Sequence, residues 1–224
     1  MKPQLRTFGQ SQSRVIIVDG FSGAPEAVVA IAKAMAPFPR EGATQYPGVR
    51  RFITEADPTA YGYVMHTLRA LGSFVGEAFG FRGCHPIEAS FSMVTTPPDA
   101  LTPAQRAPHF DSPDPSLLAI LHFLSDTPDT GTAFYRHKAT GIERVEPGNA
   151  AMLRAAVARE TAPEGYVTAS NAEYEQIGLV EAVPDRLVIY QGALLHSGII
   201  PPDMVFSDDP AKGRLTANLF IRGV

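Results

Sequence analysis

The sequence contains a single cysteine, Cys84, among 224 residues. One thiol cannot close an intramolecular disulfide or build a cysteine zinc site, and it suits a reducing compartment. No His/Asn partner pattern surrounds Cys84, so it reads as an inert small residue rather than a nucleophile. Basic residues form no block or stripe, and 19 Lys and Arg against 23 Asp and Glu leave a formal charge of −4. The electrostatic footprint of a nucleic-acid binder is therefore missing, and no nucleic acid is expected as a partner. No run approaches the ~18 consecutive apolar residues of a membrane helix. The opening MKPQLRTFGQSQSR has no apolar run of signal-peptide length. The expectation is a soluble, cytoplasmic protein with no membrane partner. Internal repeats and low-complexity linkers are also absent.

What is present supports a folded domain. Hydrophobic residues make up 45% of the chain, enough for a substantial core. Its 19 glycines and 20 prolines make it turn-rich, yet below the roughly 25–30% that marks disorder. Residues 14–21 read as a strand and 24–37 as a helix stopped by Pro37. Residues 40–52 read as an irregular, Gly/Pro-punctuated stretch. A helix is predicted over 57–80, with Asp57 as N-cap, Pro58 in its first turn and Gly80 as C-cap.

Beyond Gly80 the texture becomes β. Strands are predicted at 87–97, 117–126, 131–138, 148–155, 185–198 and 213–223. The strands at 117–126 and 131–138 read as a hairpin across a Pro/Asp/Gly turn. Residues 171–183 read as a helix or a lid. Many short strands separated by turns point to a sandwich or barrel. The expected fold class is mainly β with flanking α-helices: N-terminal helices packed outside a C-terminal jelly roll. One domain, 1–224, is expected. In it, residues 1–85 form helical support and 86–224 the core, with a lid-like insertion at about 140–185.

Three features on separate predicted strands carry chemistry. The first is His109-Phe110-Asp111, in APHFDSPDP. On extended backbone, His109 and Asp111 point the same way and Phe110 points away. They are two arms of a metal site or a hydrogen-bonded pair beside a turn. The second is His196, near the end of RLVIYQGALLHS. The third is Arg214-x-Thr216 at the start of the last strand, where Arg214, Thr216 and Asn218 share one face and Leu215, Ala217, Leu219 and Ile221 the other. A charge on an inward strand face needs a partner. Two histidines and one carboxylate make the facial triad of non-haem Fe(II) oxygenases, leaving open positions on the metal. A co-substrate carboxylate then needs a cation, and the Arg214 fork pairs bidentately with one, with the Thr216 hydroxyl beside it.

This ordered set resembles the Fe(II)/2-oxoglutarate-dependent dioxygenase superfamily, over roughly residues 87–224. The resemblance implies a double-stranded β-helix core. It also implies Fe(II) held by His109, Asp111 and His196, which are the catalytic metal ligands. Its co-substrate, 2-oxoglutarate, would be anchored by Arg214 and Thr216, with Asn218 one step beyond. Dioxygen would be the oxidant, and hydroxylation of a small-molecule or peptidyl substrate the outcome. Asp111 favours oxygenation over halogenation, because the related halogenases lack the carboxylate. The gap from His196 to Arg214 is longer than the family's usual spacing, which leaves Arg222 as a fallback anchor. A salt bridge from Arg214 to Asp208 or Asp209 is the structural alternative. Two other functions stay open: a cupin-like metal enzyme that does not use 2-oxoglutarate, and a non-enzymatic jelly-roll module that binds a ligand. The primary substrate and the oligomeric state are not readable.

The remaining histidines read more plainly. His122 is a satisfied core or rim residue, His66 a surface or packing residue, and His85 a loop residue. Tyr135 and His137 share a strand face. Tyr135 is a candidate to hydrogen-bond the co-substrate or position the substrate, against ordinary packing.

Overall fold

The computed structural model describes residues 2–40 and 46–224. Two antiparallel sheets divide the strands by the alternation of their side chains. The larger sheet orders its strands β1-β2-β8-β5-β10-β4-β3. These are β1 (Gln4–Phe8), β2 (Ser13–Val18), β3 (Gly48–Phe52), β4 (Cys84–Val94), β5 (Leu117–Phe123), β8 (Leu187–Gln191) and β10 (Leu215–Gly223). The smaller sheet is β7-β6-β9, formed by β6 (Gly131–His137), β7 (Tyr174–Glu181) and β9 (His196–Ile199). Three α-helices complete the described residues: α1 (Pro25–Ala34), α2 (Pro58–Phe79) and α3 (Ala150–Val157). The fold is mainly β.

Period-2 alternation gives the large sheet two different faces. Ile16, Val18, Phe91, Leu118, Ile120, Leu187, Ile189, Leu215, Ala217 and Leu219 pack with Val28 and Ala32 of α1 and Val64, Leu71 and Val75 of α2. On the opposite face Val15, Ile17, Ala119, Val188 and Tyr190 meet Phe134 and Val180 of the small sheet. The helices therefore cover one face and the small sheet part of the other. The rest of that second face, toward β10, β4 and β3, lines a cavity. Helix α2 follows its sequence signals. Pro58 opens it and Gly80, at φ 78°, closes it in the left-handed conformation, its N–H donating to the Gly76 carbonyl. The Asp57 carboxylate does not cap the helix; it binds the Thr54 N–H at 3.0 Å and Arg51 at 2.7 Å.

Several sequence expectations change. Residues 148–155 are not a strand but the start of α3, since Ala, Met, Leu and Arg are strong helix formers. Residues 171–183 are not a helix: β7 is an edge strand of the small sheet, so the 140–185 stretch carries sheet as well as helix. Strands β5 and β6 do not form a hairpin. Both edges of β5 are taken, by β8 and β10, so the chain crosses to the other sheet. The single strand read over 185–198 breaks at a turn after Gln191 into β8 and β9, which lie in different sheets. The N-terminal region supplies strands β1, β2 and β3 in addition to two helices. Strand β3 falls in the stretch read as irregular, of which residues 41–45 lie outside the described residues.

Candidate metal centre

His109 and Asp111, from one segment, converge with His196, which comes from another far along the chain. Backbone bonds fix the convergence. The His109 N–H donates to the His196 carbonyl at 2.9 Å, and the His196 N–H returns a bond at 2.8 Å. The Asp111 N–H donates to the Gly192 carbonyl at 2.7 Å. Glycine at 192 eases this approach: a Cβ there would lie 3.0 Å from Asp111 Oδ2 and 3.1 Å from its Cβ, tighter than ordinary contact. Phe110 turns away and packs against the cluster around Tyr174 and Leu195.

One ligand atom from each of the three residues lies within 4.8 Å of the others. Asp111 stands 3.8 Å from His109 Nε2 through Oδ1 and 3.8 Å from His196 Nε2 through Oδ2, too far for hydrogen bonds. The two imidazole rings are 4.4 Å apart, centroid to centroid. His196 Nδ1 donates to the Leu194 carbonyl at 2.8 Å. A carbonyl only accepts, so the proton sits on Nδ1 and the Nε2 lone pair faces the cluster. Burial, then the neighbouring His196, lowers His109 to a pKa of about 4, and burial lowers His196 to about 4. Burial raises Asp111 to about 6. Both imidazoles are therefore neutral at pH 7, the form that donates to a metal.

The cluster opens into a cavity of about 510 Å³ that also holds Arg214, Thr216 and Asn218. Arg214 is 5% exposed and makes no ion pair among the described residues. The expected alternative partner Asp209 instead faces Lys212 at 3.3 Å. Arg214 Nη2 donates to the Gly131 carbonyl at 3.1 Å, the guanidinium lies 5.6 Å from the Phe123 ring centroid, and Nε is buried without a hydrogen-bond partner. Burial pulls its pKa down, partly offset by Tyr46, Tyr166 and Tyr190 around it. Thr216 hydroxyl reaches the Ser92 carbonyl only at 3.5 Å.

Sequence comparison places the chain in a family at this point. The family model described as a family of unknown function, DUF6445, matches residues 1–221. The chain belongs to that family. No curated protein matches it. Among solved structures, this DUF6445 chain is similar to the non-heme alpha ketoglutarate dependent epimerase SnoN from nogalamycin biosynthesis, with TM-score 0.59, 12% identity, and 93% of this chain covering 78% of that one. It is similar to HygX from Streptomyces hygroscopicus with iron bound, at TM-score 0.56 and 12% identity, over 96% of this chain and 84% of that one. It is also similar to the non-heme alpha ketoglutarate dependent carbocyclase SnoK, at TM-score 0.52 and 11% identity, over 93% of this chain and 79% of that one. At such identities the likeness is one of fold.

Tyr135 does not line the cavity. It points to the far side of β6, where its hydroxyl donates to the Val167 carbonyl at 2.9 Å and its ring packs with Tyr174. The alternate residues Thr132 and Phe134 face the large sheet, so Tyr135 cannot reach the cavity. His137 is held on the same outer side by Thr140 and Glu160, each at 2.8 Å. Arg222 lies at the far end of β10, exposed, 3.4 Å from Asp114.

The cavity also contains residues not singled out in the sequence. Tyr190 on β8 packs edge-on against His196 at 4.9 Å and lines the cavity with Arg214. Burial raises its pKa, the Asp111 charge adds to this, and Arg214 opposes it, so its hydroxyl stays protonated as a donor. The alternation of Val188 and Tyr190 against Leu187 and Ile189 was the available signal. Arg50, on β3, had none, because its stretch reads as irregular, whereas Glu88 shares one face of the predicted 87–97 strand with Ser90 and Ser92.

Proposed function

We propose that this protein is an Fe(II)- and 2-oxoglutarate-dependent oxygenase that hydroxylates its substrate. On this reading the two facing sheets are a double-stranded β-helix core in a single domain. Solved proteins with a similar fold are described as alpha ketoglutarate dependent or as iron-bound. One observation carries the reading: a buried guanidinium without a carboxylate shares one cavity with a His/Asp/His cluster whose ligand atoms leave each other unpaired. An uncompensated buried charge costs several kcal/mol unless a ligand neutralises it. The donor set of two neutral imidazoles and one carboxylate fits ferrous iron with open positions.

His109, Asp111 and His196 would hold the metal. When bound, Fe(II) with 2-oxoglutarate supplies activation of dioxygen for oxygen insertion into a substrate C–H bond. The His196 Nδ1 bond to Leu194 holds that ring in its donating tautomer. Arg214 would pair with the co-substrate's distal carboxylate, Thr216 and Asn218 lining the wall beside it. Tyr190 stands between the cluster and Arg214 as a protonated donor.

The test is an anaerobic titration with Fe(II) and then 2-oxoglutarate, watching for the weak visible charge-transfer band of the chelate. The band should form, and Arg214→Ala should raise the 2-oxoglutarate concentration for half-maximal absorbance by ~30-fold or more, the loss of about 2 kcal/mol seen when one partner of a buried charge pair is truncated. Iron affinity should not change. Iron binding without a band would leave a metal enzyme that does not use 2-oxoglutarate. No iron binding would remove the metal centre altogether.

A further inference from the structure

The cavity holds a second pair of charged groups besides the metal ligands and Arg214. Arg50 of β3 and Glu88 of β4 both line it. Cross-strand register sets Arg50 beside Ser92, which pairs in turn with Thr216, so Arg50 stands on the cavity face of the sheet. Its Nη2 donates to Glu88 Oε1 and, at 3.2 Å, to Ser90 Oγ. The guanidinium lies 4.8 Å from the Phe52 ring centroid, which fixes its plane.

Neither charge is fully satisfied. Arg50 Nη1 and Glu88 Oε2 have no hydrogen-bond partner among the described residues, and the two side chains are 19% and 36% exposed, open to a ligand. The remaining edges of a bound ion pair select their ligand by sign. A lone anion drawn to Arg50 would meet the Glu88 carboxylate, and a lone cation drawn to Glu88 would meet Arg50. A ligand that presents both signs a bond or two apart meets no such repulsion. Its carboxylate takes the remaining guanidinium nitrogen, Arg50 Nη1, and its ammonium takes the free carboxylate oxygen. Next to the pair, the ladder between β4 and β10 shifts at Phe220/Ile221, leaving Ile87 without a partner on β10. Ile87 lines the cavity at this bulge together with Phe220, as an apolar wall.

We infer that the primary substrate is a free α-amino acid, its zwitterionic head held by Arg50 and Glu88 and its side chain directed along Ile87 and Phe220 toward the metal ligands. The inference rests on the proposed oxygenase reading, and the test separates the two. The protein is loaded anaerobically with Fe(II) and 2-oxoglutarate, and the chelate band is recorded. The common L-amino acids are then added singly at millimolar concentration and the melting temperature followed. At least one free amino acid should raise it. The N-acetyl and the C-terminal amide forms of that amino acid should each bind about tenfold more weakly, since each loses one charge-assisted contact. Arg50→Met and Glu88→Gln should show the same loss while keeping the chelate band.

The inference is overturned if no free amino acid raises the melting temperature, if the blocked forms bind as well as the free one, or if both variants bind as the wild type does. In each of those cases a normal chelate band leaves the oxygenase reading standing. Amino-acid binding with the predicted losses but no chelate band would keep the head-group site and remove the oxygenase.

Discussion

Two histidine–aspartate clusters lie on opposite sides of the large sheet, and they differ in how completely they are bonded. Behind the sheet, His122 of β5 is bound through Nδ1 to the Tyr63 hydroxyl at 2.8 Å and through Nε2 to Asp185 at 2.9 Å. Asp185 also accepts from Ser22 N–H and hydroxyl and from Gly23 N–H, at 2.6–2.9 Å. Both His122 nitrogens and both Asp185 oxygens have protein partners, so the cluster closes helix α2 and the β2–α1 turn onto the sheet. In front, the His109, Asp111 and His196 ligand atoms stay 3.8 Å apart where they are nearest. Residue types alone do not separate the two; unfilled hydrogen-bonding capacity does. The arginines repeat the contrast. Arg136 is bonded through Nε and Nη2 to Glu143 and through Nη1 to Glu175, whereas Arg214 keeps a buried nitrogen unpaired.

The sharpest way to break this comparison is to remove the aspartate from each cluster. Asp111→Ala should lower Fe(II) affinity by more than ~100-fold, above what loss of a supporting residue costs. It should change the stability of the metal-free protein by less than about 1 kcal/mol, because the carboxylate has no bond to lose. Asp185→Ala should do the reverse. It leaves His122 and two N–H groups without partners and should cost about 3 kcal/mol by urea denaturation, with Fe(II) affinity within about twofold of wild type. Competition with a metal chelator reads the affinities. If the two variants exchanged effects, the assignment of open and closed clusters would be wrong.

The arginine contrast has a pH signature. Burial raises the Glu143 pKa, but bonds from Ser11, Gln10 and Arg136 outweigh it and bring the group from 4.5 to about 2. A carboxylate depressed in the folded state stabilises it fully above pH 4.5 and loses that contribution as pH falls toward 2. The loss should reach about 2–3 kcal/mol. Urea midpoints between pH 5 and 2.5 should fall steeply for the wild type. Glu143→Gln should start less stable and show a flatter acid limb; an unchanged slope would mean that Glu143 is not held by these bonds.

The grouping of the candidate site was more legible in the sequence than the architecture. His109-x-Asp111, His196 and the Arg214 face of β10 were readable because period-2 alternation survives on extended backbone whichever sheet it joins. The partition of strands between sheets was not readable. β5 and β6 look like a hairpin locally, and only the occupied edges of β5 forbid it. Edge strands β1 and β3 are short and carry exposed or charged residues, which weakens their apolar pattern. Tyr135 and Thr132 alternate on one strand, and nothing local says which face meets the large sheet. Tyr190 and Arg50 reach the cavity through strand order, a long-range property.

The smallest expected effect tests whether exposure, rather than sequence position, chooses the anchor. Arg222 follows Arg214, Thr216 and Asn218 in the same alternation, so pattern alone makes it an equivalent cation. Its side chain is 57% exposed and lies 3.4 Å from Asp114, which is 37% exposed. A solvated pair of this kind contributes within about 0.5 kcal/mol, since water already stabilises both charges. Arg222→Ala should therefore leave stability within that margin and the 2-oxoglutarate half-saturation within about twofold. A loss matching that of Arg214→Ala would move the anchor to the far end of β10. The buried, unpaired guanidinium would then be a structural cation, and the contrast between filled and unfilled groups would no longer locate the site.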